Sequence, residues 1–350
     1  MSEAGEAIDR AASERSPSLG VIVPAHQAES TLQEVLSALA AAGFAPDDIL
    51  VVDDGSRDAT ASIANAAGLR VQTNEVAQGP SRARNAGAAS LERDVLLFVD
   101  SDVVVHQDVR ERVLGHFSGS SDLVAVFGSY DTRQERGGAI SRYRNLLHHY
   151  VHQHSPAEAV TFWTGLGAVR RDAFLAQKGF DRAWENIEDV DLGLRLHADG
   201  GRIRLDHRMF GTHLKIWTIR STFRTDLYGR ALPWSRIVLF RGLPPGQLNT
   251  SLVHKVSLAA VAAMLGGVFM APIAAQFLWI SVLAALAFLI VNAPLLAFMM
   301  RQGGPVFGLK SVPCHILHYL AGGLGFAWVL AREYVPSRLG ARGSGTPLRQ

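Results

Sequence analysis

The chain has 350 residues, enough for about two domains. Hydrophobic residues make up 48% before 33 glycines are added, and charged residues only 19%; soluble chains run near 45–50% apolar with glycine included and about 25% charged. These values exclude a disordered chain, a collagen-like chain and an ordinary soluble enzyme throughout, and a lone Cys314 excludes an internal disulfide or a cage of several cysteines around a metal.

The excess is local. Residues 252–350 hold eight charged side chains, seven basic and one acidic (Glu333), and residues 1–251 hold the other 58, so the net charge divides as −4 and +6. Met1–Ser18 carries Glu3, Glu6 and Asp9 with no apolar run. It reads as a disordered tail rather than a signal peptide, which leaves the first 250 residues on the cytoplasmic side.

Strand and helix patterns then alternate. Leu19–Ala25 is an apolar run, and Leu32, Val35, Leu36 and Leu39 follow at helical spacing after Ser30. Ile49–Val52 is a second strand ending in Asp53-Asp54-Gly55-Ser56, and Asp58 suits the cap of a helix over Ala59–Ala67. Leu69–Thr73 is a third strand. Gly79-Pro80 opens a helix to Ser90, and Val95–Val99 is a fourth strand ending in Asp100-Ser101-Asp102. Strands spaced by helices predict an α/β fold with a mostly parallel sheet and helices on both faces. Ligands of such sheets bind beyond the carboxyl ends of the strands, where Pro24–His26, Asp53–Ser56 and Asp100–Asp102 fall. No glycine-rich phosphate motif is present, so nucleotide binding would use carboxylates, a metal and arginine.

Each cluster has a chemical and a plain reading. Asp100 and Asp102 can share a hard cation, Mg²⁺ or Mn²⁺, that also takes phosphate oxygens; alone, the same pattern suits a solvated turn. Asp53 and Asp54 can accept hydrogen bonds from a base or ribose or cap a turn. Arg82 and Arg84 in Gln78–Gly87 can hold a phosphate or form an ordinary basic first turn. Glu188, Asp189 and Asp191 cluster where a helix starts; one can serve as general base, and at least one caps the helix. His148, His149, His152 and His154 include an i, i+4 pair but no further metal ligand at a recognisable spacing.

The ordered set VIVPAHQAE, VVDDGS, GPSRARNAGA, LLFVDSD, FWTGLGAVRRDAF and IEDVDLGLRL resembles family 2 glycosyltransferases of the GT-A fold over about residues 19–213. The resemblance implies an inverting, metal-dependent transfer from a nucleotide-diphosphate sugar. It implies a nucleotide pocket lined by Pro24, Ala25 and Glu29 and a base contact at Asp53, with Asp54 beside it. Arg84, Asn85 and Asp100 would lie near the donor. Asp100, Asp102 and His213 would hold Mg²⁺ or Mn²⁺. Asp189 would be the base, and Trp163, Gly165 and Glu188 would stand on the acceptor side. The chain departs from the family in His26-Gln27, where tyrosine-asparagine is common, and in Glu188 and Asp191 flanking the expected base.

From Arg208 to Lys255 eight basic residues stand against Asp226 alone. Ile216, Ile219, Phe223 and Leu227 recur at helical spacing with Trp217 and Trp234 nearby, the pattern of a helix lying in lipid headgroups; packing on the preceding domain is the plainer reading. Val256–Met300 has no charge over 45 residues, which fits two spans, 256–276 and 277–300, with a turn near Pro272–Gln276. Flanking arginines and lysines put both ends of that pair in the cytoplasm. A third run, Val312–Ala331, is interrupted by His315 and His318. If it crosses, Arg332, Arg338, Arg342 and Arg349 end outside, against the rule.

The expected organisation is a tail (1–18), a GT-A catalytic domain (19–214), amphipathic interface helices (215–251), a multi-pass membrane region of two or three helices (252–335) and a basic tail (336–350). The expected partners are a nucleotide-diphosphate sugar, a lipid-linked or glycan acceptor and membrane lipids, with no nucleic acid. A nucleotidyltransferase lacks its glycine-rich loop here. A processive polysaccharide synthase would usually carry more spans and a Q-x-x-R-W element. A non-catalytic nucleotide-sugar-binding scaffold is disfavoured by the intact D-x-D and ED elements.

Overall fold

The computed structural model describes residues 16–118, 120, 122–134, 136–184, 186–242 and 251–338. Most of the two expected tails and the end of the interface segment lie outside the described residues. The chain divides into two compact units. The first runs to Arg136 and resumes from Val151 to Lys215; the second takes Gly137–Tyr150 and everything from Ile216 onward.

In the first unit the strands are β1 (Leu19–Ala25), β2 (Ile49–Asp53), β3 (Arg70–Thr73), β4 (Val95–Val99), β5 (Val103–Val105), β6 (Leu123–Tyr130), β7 (Glu158–Ala159), β8 (Leu166–Arg170) and β9 (Arg202–His213). Its helices are α1 (Leu32–Ala41), α2 (Thr60–Ala66), α3 (Pro80–Ser90), α4 (Val109–Phe117), α6 (Arg171–Ala176) and α7 (Glu188–Ala198), while α5 (Ala139–Gln153) begins in the second unit. Among the described residues the strands form one sheet in the order β3-β2-β1-β4-β8-β6-β9-β5, with β7 on β9. The half made of β3, β2, β1 and β4 is parallel. The other half is mixed, because β8 runs antiparallel to both β4 and β6, so the sheet is mostly but not wholly parallel.

The central strands are apolar along most of their length because both faces are covered. Val21 and Val23 of β1 point to a core with Leu32, Val35, Leu36 and Leu39 of α1 and Val109, Val113 and Phe117 of α4. Ile22, between them, points to the opposite core, with Ala83 and Ala88 of α3, Phe174 of α6 and Leu192 and Leu196 of α7. The second helix starts at Thr60 with Ala59, not Asp58, at its cap position; Asp58 stands one residue earlier and accepts the Thr60 backbone N–H at 3.0 Å.

The second unit is helical. Apolar residues of α5, Tyr143 and Leu146, pack with Leu295, Met299 and Phe307. That packing groups Gly137–Tyr150 with the second unit and interrupts the continuous span 19–214 expected from the sequence. Beyond Lys215, α8 (Ile219–Arg224) is opened by a capping box between Thr218 and Ser221. The cap sets the helix start after Ile216 and Trp217, so those two are not on the helix. Trp217 is buried instead, with the Arg144 guanidinium 4.3 Å from its ring centre. Wide helical turns and a short helix, α9 (Leu232–Arg236), carry the chain on to Arg241.

Helix α10 (Leu252–Met270) and helix α11 (Phe277–Val291) flank the expected turn, and α12 (Ala293–Val329) follows. The expected span 277–300 is not one helix. It breaks at Asn292, whose side chain bonds Ser257 of α10 at 2.8 Å, and α12 begins with Pro294 in its first turn. The 15 residues of α11 reach about 22 Å, short of a hydrocarbon core of about 30 Å. Two helical stretches, Leu252–Met270 and Ala293–Arg338, are long and apolar enough to cross a membrane by length and composition. The second contains a kink at Gly304, φ +80°.

One contact fixes how close α7 lies to the sheet. A Cβ at Gly193 would stand 2.3 Å from the Phe162 backbone N, so only glycine lets the helix rest there. Gly193→Ala should destabilise the first unit by about 1–3 kcal/mol, read as a lowered melting temperature; an unchanged melting temperature would show that α7 can move away freely.

Candidate active site

Sheet topology collects the polar clusters at one edge. β1, β2 and β4 run parallel, so Ala25, Asp53 and Asp100 all leave the sheet on the same side, with Ala25 paired to Asp53. β8 runs the other way, so its beginning arrives there too, and the Asp100 N–H donates to the Gly165 carbonyl at 3.2 Å. β9 ends at His213 opposite Val103, and the Leu214 N–H donates to the Asp102 carbonyl at 2.8 Å.

At the centre is Arg84, buried at 4% exposure. Its Nη2 donates to Asp100 Oδ1 and its Nη1 to Glu188 Oε1, both at 2.7 Å. Burial alone would lower the guanidinium's proton affinity; the charges of Asp100 and Glu188 outweigh this and hold it above its ordinary value. Arg84 Nε and Glu188 Oε2 have no hydrogen-bond partner among the described residues, so the bridge is buried but not saturated. Two other contacts hold its frame. Asn85 donates to the Phe180 carbonyl and accepts the Phe180 N–H, both at 2.9 Å. Arg195 of α7 donates to the Gln177 and Gly179 carbonyls at 2.6 and 2.8 Å. Both helices are thus pinned to one turn. Asn85, expected beside the donor, has its amide engaged on that turn because Phe180 presents both backbone groups to it.

Of the three acids at the start of α7, two are committed. Glu188 pairs with Arg84, and Asp191, fully buried, accepts from Arg195 Nε at 2.9 Å. The third, Asp189, makes no ion pair among the described residues. Its Oδ2 lies 3.2 Å from the Thr164 N–H and 3.3 Å from the Thr164 hydroxyl, and its Oδ1 accepts the Val190 N–H at 2.8 Å. The side chain is only half-buried, yet loss of water around the carboxyl, with the charge of Glu188 adding and that of Arg84 opposing, raises its pKa to about 7. Thr164 as the orienting group was not singled out from sequence; it lies between the expected Trp163 and Gly165 and carries no signal of its own.

Asp102 and His213 face each other, with His213 Nε2 3.6 Å from Asp102 Oδ2. Burial disfavours ionised Asp102, but the nearby His213 imidazole and the charge of Lys215 prevail and hold its pKa below the usual value. His213 is stacked on Tyr130 at 4.1 Å, and Tyr130 meets Trp163 edge-on at 4.9 Å. Tyr130 is a second residue that sequence alone missed. Trp163 also meets His152 at 5.4 Å, so it is packed on at least two sides. A Cβ at Gly165 would overlap the Trp163 ring at 2.2 Å; glycine there is what lets the indole lie back on the chain. Two carboxylates and an imidazole suit Mn²⁺ or Mg²⁺ as a donor set. Asp100 is engaged by Arg84, and among the described residues no three metal-binding side chains already converge. Of the four histidines singled out from sequence, His152 is buried and bonds the Gly128 carbonyl at 3.0 Å, and His149 stacks on Phe298.

Beyond the ends of β1 and β2, Asp54 is consumed by structure. Its carboxylate accepts from Asn74 Nδ2 (2.8 Å), the Gln78 N–H (2.9 Å) and the Gly79 N–H (2.7 Å). Asp53 Oδ1 accepts the Ser56 N–H at 3.1 Å. Pro24 and Ala25 end β1, and Glu29 receives the Ala59 N–H at 3.1 Å. His26 Nδ1 lies 2.8 Å from the Asp54 carbonyl, and Gln27, at φ +52°, bonds Ser56. The unusual His26-Gln27 pair therefore fastens the loop after β1 to the loop after β2.

The family model described as glycosyl transferase family 2 matches residues 20–177. Glycosyltransferase AglE of Haloferax volcanii is 32% identical over 206 residues, covering 56% of this chain and 67% of that protein. The chain belongs to glycosyl transferase family 2. Pre-mycofactocin glycosyltransferase of Mycobacterium tuberculosis is 28% identical over 227 residues, 58% of this chain and 45% of its own length; this family 2 chain thus spans about half of that relative. Mannosyltransferase PcManGT from Pyrobaculum calidifontis, solved with GDP-Man and Mn²⁺, shares the fold at a TM-score of 0.59 and 16% identity, over 90% of this chain and 88% of that one. The α/β sheet is that of the GT-A fold.

Removing Arg84 would leave Glu188 buried and uncompensated. Arg84→Met should cost about 3–5 kcal/mol, and adding Glu188→Gln should recover part of it. Equal stability of the single and double variants in denaturant unfolding would show that the bridge is not coupled.

Proposed function

We propose that the protein transfers a sugar from a nucleotide-diphosphate donor to a hydroxyl of a lipid-linked or glycan acceptor, with inversion at the anomeric carbon, at the cytoplasmic face of a membrane. The observation that carries this is Asp189: a carboxyl with a pKa near 7, oriented by Thr164, one residue from the Arg84 bridge to Asp100. A base poised near neutrality suits proton removal from an alcohol as it attacks.

In the step proposed, Asp189 takes the acceptor's hydroxyl proton and the oxygen forms a bond to the anomeric carbon. The bond from that carbon to the diphosphate oxygen breaks, and its electron pair leaves with the nucleoside diphosphate. Arg84, together with the pinning of α3 and α7 to the Gln177–Phe180 turn, keeps Asp100 and Asp189 in register. Asp53 and the β1 loop contact the nucleotide, and Trp163 backs the acceptor side. Asp100, Asp102 and His213 would hold Mn²⁺ or Mg²⁺, whose charge would neutralise the leaving diphosphate.

Membrane attachment is supported within the second unit. Leu265, Val268, Phe269, Ile273, Leu278, Trp279, Leu283 and Ile290 are exposed apolar residues on or between α10 and α11, more than a soluble surface tolerates in one region. Basic side chains from Arg220 to Arg241 stand beside exposed Ile219, Tyr228 and Phe240, as in an interfacial segment.

With Mn²⁺ and a panel of nucleotide sugars, the detergent-solubilised protein should turn over at least one donor, and chelation should abolish turnover. Asp189→Asn should lower transfer by about 10²–10⁴-fold while donor affinity stays unchanged. Failure of every donor overturns the activity; full transfer by Asp189→Asn moves the base to another residue.

A further inference from the structure

A second feature of the first unit lies apart from the carboxylates. Along the β6–β9 ladder Phe127 pairs with Leu205, but Ser129 pairs with Phe210. Two steps on β6 answer five on β9, so Asp206–Met209 bow out of the sheet. Such bulges re-aim side chains. This one is held on several sides. Gly128 leaves room for it, since a Cβ there would stand 2.1 Å from the Met209 carbonyl oxygen. Gln153 donates to the His207 carbonyl, and His207 Nε2 lies on the Ser155 carbonyl, both at 3.0 Å.

Between the bow and α4 is a cavity of about 510 Å³, lined by Arg112, His116, Arg204, Asp206, His207 and Arg208 among others. Asp206 organises its floor. It accepts from His116 at 2.9 Å and from the Arg208 N–H at 2.8 Å, with Arg112 at 3.5 Å. Burial disfavours its charge, but the His116 bond and the nearby cations prevail, and its pKa falls to about 2. Three arginines line this cavity, and of their side chains only that of Arg112 reaches Asp206. Arg112 is tied to Asp108 and Asp206. The side chains of Arg204 and Arg208 make no hydrogen bond or ion pair among the described residues.

We propose that this cavity is a second ligand site, distinct from the donor site, that binds a phosphorylated small molecule such as a sugar phosphate. Unpaired guanidinium groups at a concave surface match the geometry of phosphate oxygens. The volume is that of a small-molecule site, about 300–1,000 Å³, larger than a bare ion needs. The site ends at Arg208, five residues before His213 on β9, and neither Asp102 nor Asp189 lines it. Its position across the strand that ends at His213 makes it suited to modulate transfer rather than to carry it out.

The test is calorimetric titration of the full chain in detergent with glucose 6-phosphate, with EDTA present so that no metal-dependent site contributes. Wild type should bind saturably. Arg204→Ala combined with Arg208→Ala should bind about tenfold more weakly or worse, at an unchanged melting temperature and with unchanged affinity for a nucleotide sugar measured separately with Mn²⁺. Unphosphorylated glucose should not bind. The proposal is overturned by absence of saturable binding at millimolar ligand, by equal binding of glucose, or by equal affinity in the double variant.

Discussion

The site depends on one buried cation with two anionic neighbours. Arg84 joins the acid that follows β4 to the first acid of α7, two segments more than 80 residues apart in sequence. Taking a guanidinium and a carboxylate out of water is costly, and their attraction offsets that cost only where geometry is good. Both bonds here are 2.7 Å, and the arginine is almost inaccessible. The arrangement costs stability elsewhere only if it loosens, so the surrounding latches matter: Asn85 and Arg195 both grip the Gln177–Phe180 turn, and Gly193 lets α7 come down on the chain at Phe162. These contacts set where Asp189 stands, and the charges of Glu188 and Arg84 then tune it in opposite directions.

Much of this was legible from residue order. Apolar runs of four to seven residues followed by acids gave β1, β2 and β4 and the edge where the acids meet, because a strand buried on both faces has no other place to put a carboxylate than its end. What stayed hidden was partner choice. Nothing in GPSRARNAGA distinguishes an arginine that holds phosphate from one that bridges two carboxylates, and Asn85, next to it, turned out to grip Phe180 backbone. In IEDVDLG the resemblance puts the base at Asp189 and Glu188 on the acceptor side, but residue order alone does not tell the roles of the three acids apart. They separate only once Arg84 and Arg195 are seen to take Glu188 and Asp191.

The helical unit was legible in composition and less so in boundaries. An uncharged stretch of 45 residues does not say where helices stop, and Asn292, polar but uncharged, ends one by bonding across to Ser257. The same unit buries an ion pair between Arg144 and Asp226 at 2.6 Å, with His318 3.2 Å from the other oxygen of Asp226. That polar knot explains why a segment from the middle of the chain, Gly137–Tyr150, belongs with helices that follow 70 residues later. Local hydrophobic periodicity carries no trace of such a long-range choice.

The like charge of Glu188 couples to Asp189, and the pH dependence of transfer reads that coupling most directly. With saturating metal, kcat/KM for the wild type measured from about pH 5 to 9 should rise with pH through an apparent pKa near 7. In Glu188→Gln, which removes the like charge and leaves Arg84 in place, the rising limb should move to lower pH. A limb that stays where it was, or moves to higher pH, would show that Glu188 does not set the protonation of the base.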